Sequence, residues 1–165
     1  MEIKSKGNGT FLLLADGQMV LRVGILGRRN RNQKSVAEHN ELGKLGEEVA
    51  VRYLLHHDYH IMERDWRCGH SDVDIIAEKR GQVVFVEVKT LASDLYGSPL
   101  QHVTPEKVRR LQRSANAYVQ GKDLAFPVRF DIITVVGTAP NFHVKHYPSV
   151  FGMAARCVEG HLQIE

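Results

Sequence analysis

The chain has 165 residues, of which 43% are hydrophobic and 25% charged, as expected of one globular domain with a substantial core. No stretch approaches the ~18 consecutive apolar residues of a membrane-spanning helix, so the sequence excludes an integral membrane role. Only two cysteines are present, Cys68 and Cys157, which argues against a disulfide framework and predicts a cytoplasmic location.

The net charge of +3 is unevenly distributed along the chain. Residues 1–40 carry seven basic and three acidic side chains, whereas residues 41–165 carry fifteen basic and sixteen acidic ones. Binding of nucleic acid to the body of the protein would therefore depend on local basic clusters, because its overall charge supplies no attraction.

The first 35 residues form a basic extension that differs in character from the rest. An Asp16-Gly17 dipeptide between two apolar segments predicts a hairpin, and residues 27–35 (GRRNRNQKS) are typical of a linker. Two interpretations are open: a native arm that binds nucleic acid, or a segment that is not native, with translation starting at Val36. We favour the second. Residues 36–150 are expected to form the main domain, and residues 151–165 a C-terminal tail.

The main domain alternates between helical and strand patterns. A first helix is expected from Val36 or Glu41 to His56, and Thr104 followed by Pro105 predicts the start of a second. Five further segments have the composition of strands: Tyr59–Arg67, Val73–Glu78, Gln82–Lys89, Val128–Val136 and Phe142–Tyr147. This order predicts an α/β fold with a mixed central sheet flanked by helices.

Two carboxylates thirteen residues apart are the most informative feature. Asp74 and Glu87 lie on adjacent strands and could bind one divalent cation, with the carbonyl of Val88 as a third ligand. Lys89 shares a strand face with Glu87 and could stabilise negative charge in a transition state. Glu47, at the edge of the apolar stripe of the first helix, would complete the site. A surface ion pair between Glu87 and Lys89 explains the same residues without chemistry, and both interpretations stay open.

Several motifs in order resemble the YraN-type family of predicted endonucleases. They are Gly43-Lys-Leu-Gly46-Glu47-Glu48, Asp72-Val-Asp74-Ile-Ile-Ala77, Val84-Phe-Val-Glu87-Val-Lys89, Tyr96-Gly-Ser-Pro99 and Arg129-Phe-Asp131. The resemblance covers about residues 38–147. It implies a restriction-endonuclease-like fold similar to that of archaeal Holliday-junction resolvases, within the PD-(D/E)xK superfamily.

The resemblance also implies an activity and a set of site residues. Asp74, Glu87 and Lys89 match the catalytic core of the family, and Glu47 matches its helix-borne glutamate. The expected function is Mg²⁺- or Mn²⁺-dependent hydrolysis of DNA, with branched DNA among the candidate substrates and a homodimer left open. The chain departs from the family pattern at Asp72, Leu91 and Val108. These departures keep two alternatives open: a catalytically silent nucleic-acid-binding module of the same fold, and a subunit that works only inside a larger assembly.

A basic cluster on the second helix is the candidate surface for the DNA backbone. Four cations occur within seven residues, namely Lys107, Arg109, Arg110 and Arg113. Such a cluster could contact phosphates, although a solvated helix face is the commoner meaning of a basic run. Cys68 and nearby histidines lack the spacing of a structural zinc site.

Overall fold

A computed structural model describes residues 2–4, 9–13, 19–23, 36–69, 71–92, 104–150, 156–158 and 161–163 of the chain. Within these residues the helices are α1 (Val36–His56) and α2 (Pro105–Gly121). The strands are β1 (Glu2–Lys4), β2 (Gly9–Leu13), β3 (Met19–Val23), β4 (His60–Cys68), β5 (Ser71–Lys79), β6 (Gln82–Leu91), β7 (Val128–Thr138), β8 (Asn141–Tyr147), β9 (Arg156–Val158) and β10 (His161–Gln163).

Eight of the strands form one mixed sheet in the order β1-β2-β3-β8-β7-β6-β5-β4. Only the β6–β7 pair within this sheet is parallel, and α2 lies between those two strands in the chain. The remaining described strands, β9 and β10, pair with each other. The predicted α/β fold with a mixed central sheet flanked by helices is confirmed, and each predicted element of residues 36–150 is present with ends shifted by no more than about two residues.

The expected hairpin of the N-terminal extension forms between β2 and β3, which pair from Gly9↔Val23 to Leu13↔Met19. The Asp16-Gly17 dipeptide itself falls outside the described residues. Strand β3 also pairs with β8, from Met19↔Val144 to Arg22↔Asn141. Strand β3 of the N-terminal extension and the strands of residues 36–150 therefore belong to one sheet.

The two helices cover opposite faces of the sheet, because the apolar side chains of β6 alternate between two separate cores. Val84, Val86 and Val88 pack on the side of α1 with Val49 and Leu54. Val83 and Phe85 pack on the other side, where α2 contributes a buried stripe: Leu111, Ala115, Tyr118 and Val119. A strand that is apolar on both faces is the pattern of a central strand covered on both sides.

A tight turn joins β5 to β6, as expected from its sequence. Arg80 and Gly81 both have positive φ, 53° and 74°, and Lys79 pairs with Gln82 across them. Positive φ at both central residues defines a type I′ turn, which matches the right-handed twist of the flanking strands. This turn fixes the register that places the far ends of β5 and β6 side by side.

A buried polar network closes the end of the sheet where β7 begins. Asp131 is 2% exposed and accepts two hydrogen bonds from Arg129, at 2.9 and 2.8 Å, and one from His146 Nε2 at 2.8 Å. The backbone N–H of Ser149 donates a further bond at 3.0 Å. Burial alone would raise the pKa of Asp131, but these bonds outweigh it and hold the pKa below its usual range. The network ties the strand β7 to the chain that follows β8.

We predict that Asp131→Asn costs roughly 3 kcal/mol of folding free energy, because Arg129 would then lack its charged partner inside the protein. Since the folded-state pKa is lowered, the carboxylate stabilises the fold at pH values above its unfolded pKa, and this contribution is lost as the pH falls through the folded pKa. Denaturation at several acidic pH values should therefore show a weaker pH dependence in the variant. Asp123→Asn, at an exposed loop position with φ 50°, is the control and should change stability by less than ~0.5 kcal/mol. Equal losses in both variants would contradict the prediction.

Candidate functional site

The sheet is interrupted at Asp74 on both sides of β5. On the β4 side, Arg64 pairs with Ile75 and Trp66 with Val73, so the ladder skips Asp65 and Asp74. On the β6 side, pairing runs from Lys79↔Gln82 only as far as Ile75↔Val86. Beyond that last pair, the backbone N–H of Val88 has no strand partner on β5. It donates to Asp74 Oδ2 at 2.6 Å. The side chain of Asp74 thus replaces a backbone carbonyl as the acceptor.

The side-chain alternation of β5 changes phase at the same residue. Val73 packs in the core on the α2 side of the sheet, and Ile75 packs in the core on the α1 side. In a regular strand, residues two apart point to the same face. Asp74 therefore lies at an irregularity that directs its carboxylate towards β6 rather than into either core.

Helix α1 approaches this end of the sheet at Gly46. A Cβ atom on Gly46 would lie 1.8 Å from Thr90 Oγ1 and 2.8 Å from Thr90 Cβ, so only glycine allows this contact between α1 and β6. The next residue, Glu47, is thereby placed near Asp74, whose pKa it helps to raise. The close approach explains how a helix residue reaches a site built on strands.

Glu87 forms a second group of charges, on the face of the sheet that α2 covers. Lys89 Nζ lies 2.7 Å from Glu87 Oε1, and Lys107 Nζ of α2 contacts the same oxygen. The side chain of Glu87 is 13% exposed, so its charge is largely shielded from water. Glu87 and Lys89 therefore form the ion pair that the sequence left open, with Lys107 as a third member.

A cleft of about 710 Å³ lies beside Asp74, between α1 and the strands β4 and β5. It is lined by Asn40, Gly43, Lys44, Glu47, Glu48, Arg64, Asp65, Arg67, Asp72, Val73 and Asp74. Asp74 and Glu47 are thus the predicted site residues that face the cleft, whereas Glu87 and Lys89 are absent from its lining. Asp74 connects the two groups, because charges from both Glu47 and Glu87 act on it.

Carboxylates are crowded at this end of the sheet. Burial, with the nearby charges of Glu87 and Glu47, raises the pKa of Asp74 to about 7, although the Val88 hydrogen bond and Lys89 oppose the shift. Burial and the charge of Asp65 likewise raise the pKa of Glu47. The site therefore favours a proton or another cation near Asp74.

The four basic residues of α2 divide into two kinds. Lys107 is half-buried against Glu87, and Arg110 pairs with the exposed Asp72 at 3.2 Å. Arg109 and Arg113 are exposed one helical turn apart, and no described side chain forms an ion pair or hydrogen bond with either. Of the four, these two can bind an anion without breaking an ion pair seen in the described part of the chain.

Sequence reasoning did not assign Lys107 to the carboxylates, nor Asp65 and Arg64 to the cleft. Lys107 follows Thr104 by three residues, and its N–H donates to Thr104 Oγ1 at 3.2 Å in the expected N-cap. The predicted N-cap therefore fixes the position of Lys107 in the first turn of α2, and it could have been used to predict which way that turn faces. Asp65, with φ 49° in an edge strand, had no such signal.

Comparison with known proteins assigns the chain to a family. A model of "Uncharacterised protein family UPF0102" matches residues 46–135, which include Glu47, Asp74, Glu87 and Lys89. The UPF0102 protein BF0634 of Bacteroides fragilis is 47% identical over 116 residues, covering 70% of this chain and 96% of that protein. The chain belongs to UPF0102. A relative from Flavobacterium psychrophilum, UPF0102 protein FP2501, is 41% identical over 116 residues, covering 70% of this chain and 98% of its own length.

A weaker likeness links this UPF0102 chain to a solved structure, that of Pyrococcus furiosus SfsA in complex with Ca²⁺. It has a TM-score of 0.33 and 14% identity, and covers 80% of this chain and 77% of that one. A likeness of this size supports no inference about the UPF0102 chain. In the described part of the chain, neither helix is long and apolar enough to cross a membrane.

We predict that Gly46→Ala destabilises the protein by roughly 1–3 kcal/mol, because the new methyl group would overlap Thr90 and push α1 away from β6. Gly43→Ala, one turn earlier in the same helix, is the matched control, since nothing lies within 4 Å of its added Cβ. That control should gain up to about 1 kcal/mol from helix propensity. Chemical denaturation of both variants measures the difference, and a stabilised Gly46→Ala protein would show that the close approach is not restrictive.

We also predict that Asp74 titrates near pH 7 in the absence of divalent cations. Because its folded-state pKa is raised, the folded protein binds the extra proton, and stability falls as the pH rises from about 4, the unfolded value, to about 7. Carboxyl ¹³C NMR should give the pKa directly, and Glu87→Gln should lower it by removing a neighbouring negative charge. Glu63→Gln, on β4 beside Lys122, serves as the control and should leave the Asp74 titration unchanged. An Asp74 pKa near 4 in the wild type would refute the predicted crowding.

Proposed function

We propose that the chain is a metal-dependent endonuclease that hydrolyses phosphodiester bonds in DNA. The observation that carries the proposal is the meeting of Asp74, Glu87 and Lys89 where β5 and β6 separate. Membership of UPF0102 leaves the activity open, because that family is uncharacterised by its own description. The combination of two carboxylates and a lysine is suited to hydrolysis of an anionic ester.

The donor set fits a hard divalent cation such as Mg²⁺ or Mn²⁺. The charge of Glu87 contributes to the raised pKa of Asp74, and a cation bound between the two carboxylates would offset their repulsion. In the described residues, no group of three or more His, Cys, Asp or Glu side chains could hold a metal ion. The proposed set therefore has only two side-chain ligands, Asp74 and Glu87. The carbonyl of Val88 is the proposed third ligand, and water would complete the coordination. A bound cation would supply a Lewis acid for the phosphate and a more acidic water.

The protein's own residues would divide the remaining work. Lys89 is the more exposed of the two lysines paired with Glu87. It would stabilise negative charge on the phosphorus oxygens as water adds and the P–O bond breaks. Glu47 faces the cleft beside Asp74 and would hydrogen-bond the attacking water. Arg109 and Arg113 would contact phosphates away from the broken bond. The proposal also includes a cytoplasmic location. Branched DNA is one candidate substrate, and a homodimer is one candidate assembly.

A second candidate function is a nucleic-acid-binding module of the same fold that does not cut. The observation that favours it is the pairing of Glu87 with two lysines at once, which engages one of the two proposed carboxylate ligands. The three departures from the family pattern lie close in sequence to Asp74, Lys89 and Lys107, respectively. Asp72 is exposed and paired with Arg110, whereas Leu91 and Val108 are partly buried.

One experiment separates the two candidates. Purified protein is incubated with linear, flapped and four-way DNA in Mg²⁺ or Mn²⁺, and binding is measured separately by fluorescence anisotropy. Glu87→Gln and Lys89→Met should abolish cleavage and leave binding near normal, because these groups act mainly on the transition state. Wild-type protein that binds DNA but never cleaves it would favour the silent module.

The double variant Arg109→Ala/Arg113→Ala tests the binding surface. It should weaken DNA binding and flatten its salt dependence by roughly 0.9 in log–log slope for each phosphate that the protein no longer neutralises. Lys122→Ala is the control, because that lysine lies beyond the C-terminal end of α2 and pairs with Glu63 at 3.1 Å. An unchanged salt slope in the double variant would mean that DNA binds elsewhere.

A further inference from the structure

Lys107 has an unusual position, because it shares one carboxylate oxygen with another lysine. Both Lys89 Nζ and Lys107 Nζ contact Glu87 Oε1. The side chain of Lys107 is 24% exposed, compared with 42% for Lys89, so Lys107 is the more deeply inserted of the two. Two ammonium groups on a single carboxylate repel each other, and both are attracted to the same charge on Glu87.

Burial lowers the pKa of Lys107, and the charge of Lys89 lowers it further, although Glu87 opposes both effects. Glu87 needs a cation beside it, because its side chain is only 13% exposed. An ammonium group also differs from a divalent cation, since it donates hydrogen bonds and cannot accept several carboxylates as ligands. Asp74, close to Glu87, accepts its hydrogen bond from a neutral backbone N–H rather than from an ammonium group.

The helix that carries Lys107 is anchored independently of this contact. Its N-terminus is capped by Thr104, its apolar stripe is buried against the sheet, and its other end is joined to β4 through Lys122 and Glu63. The side chain of Lys107 can therefore leave Glu87 by rotating about its own bonds, with the helix in place. Movement of the Lys107 side chain therefore does not require movement of α2.

We propose that Lys107 occupies the cation position on Glu87 in the metal-free protein and leaves it when a divalent cation binds. The inference rests on the proposed function, since it concerns the same site, and it adds a competitor to that site. Lys107 adds to the compensation that Lys89 already gives the charge of Glu87. It weakens metal binding by the free energy of its own ion pair. Once released, its ammonium group is available to an anionic substrate beside Arg110.

Direct measurement of Mn²⁺ binding tests the proposal without reference to cleavage. Free Mn²⁺ is followed by electron paramagnetic resonance while wild type and Lys107→Met are titrated. We expect Lys107→Met to bind Mn²⁺ roughly fivefold more tightly, the equivalent of ~1 kcal/mol at the usual conversion of tenfold per 1.4 kcal/mol. The gain in melting temperature on adding Mn²⁺ should also be larger in Lys107→Met than in the wild type.

Further variants test whether a gain in Mn²⁺ affinity comes from the charge of Lys107 and from its contact with Glu87. Lys107→Arg keeps the competing charge and should bind Mn²⁺ with nearly wild-type affinity. Lys122→Met removes another ion-paired lysine of the same helix region and should leave the affinity unchanged. Adding Glu87→Gln to Lys107→Met should abolish the gain, because the competition takes place at Glu87.

Each outcome decides the inference. Tighter binding in Lys107→Met alone supports it, including the case in which only this variant binds Mn²⁺ measurably. Equal affinity in wild type and Lys107→Met, or binding in neither, overturns it. Failure of the proposed function has a different signature, since a protein that binds Mn²⁺ competitively with Lys107 but never cleaves DNA would keep this inference and lose the nuclease activity.

Discussion

The hydrogen bond from the Val88 N–H to Asp74 Oδ2 is the interaction on which the candidate site depends. A buried backbone N–H needs an acceptor, and in a regular sheet the neighbouring strand supplies it. Here the carboxylate supplies it, so β5 and β6 can separate at this end without leaving the Val88 donor unsatisfied. The same bond holds Asp74 against β6, next to Glu87. An apolar residue at position 74 would remove both the acceptor and the charge.

Two carboxylates in neighbouring rows of the sheet lie in opposite environments. Asp131 is surrounded by donors and cations, so its pKa is lowered and its charge is stabilised. Asp74 lies among other carboxylates, so its pKa is raised and its charge is costly. The first arrangement is that of a structural network, in which every member is satisfied. The second stores an unfavourable interaction that a bound cation would relieve, which is the arrangement expected of functional sites.

Much of the fold could be predicted from sequence because its signals are local. The alternation of Val83 to Lys89 predicted which side chains share a face, and Thr104 with Pro105 predicted where α2 begins.

The site was predicted less completely. The change of phase at Asp74 depends on how β5 packs on both cores, and no spacing in the sequence reports it. Lys107 was predicted to contact DNA phosphates, with a solvated helix face as the alternative. Its contact with Glu87 was not predicted, because that contact spans twenty residues of chain and depends on how α2 lies over the sheet. The pairing of β3 with β8 is likewise a long-range contact.

The parallel pairing of β6 with β7 has a consequence for synthesis of the protein. Every residue of β6 from Val83 to Leu91 is matched to one of β7 from Val128 to Val136, yet residues 92–127, which include α2, must be translated between them. A nascent chain that ends before residue 128 would hold β4, β5 and β6 together by local antiparallel contacts, with the apolar edge of β6 still open on the ribosome. Such an edge invites pairing with other chains. Translation of β7 would therefore cover the open edge of β6 before β8, β9 and β10 are complete.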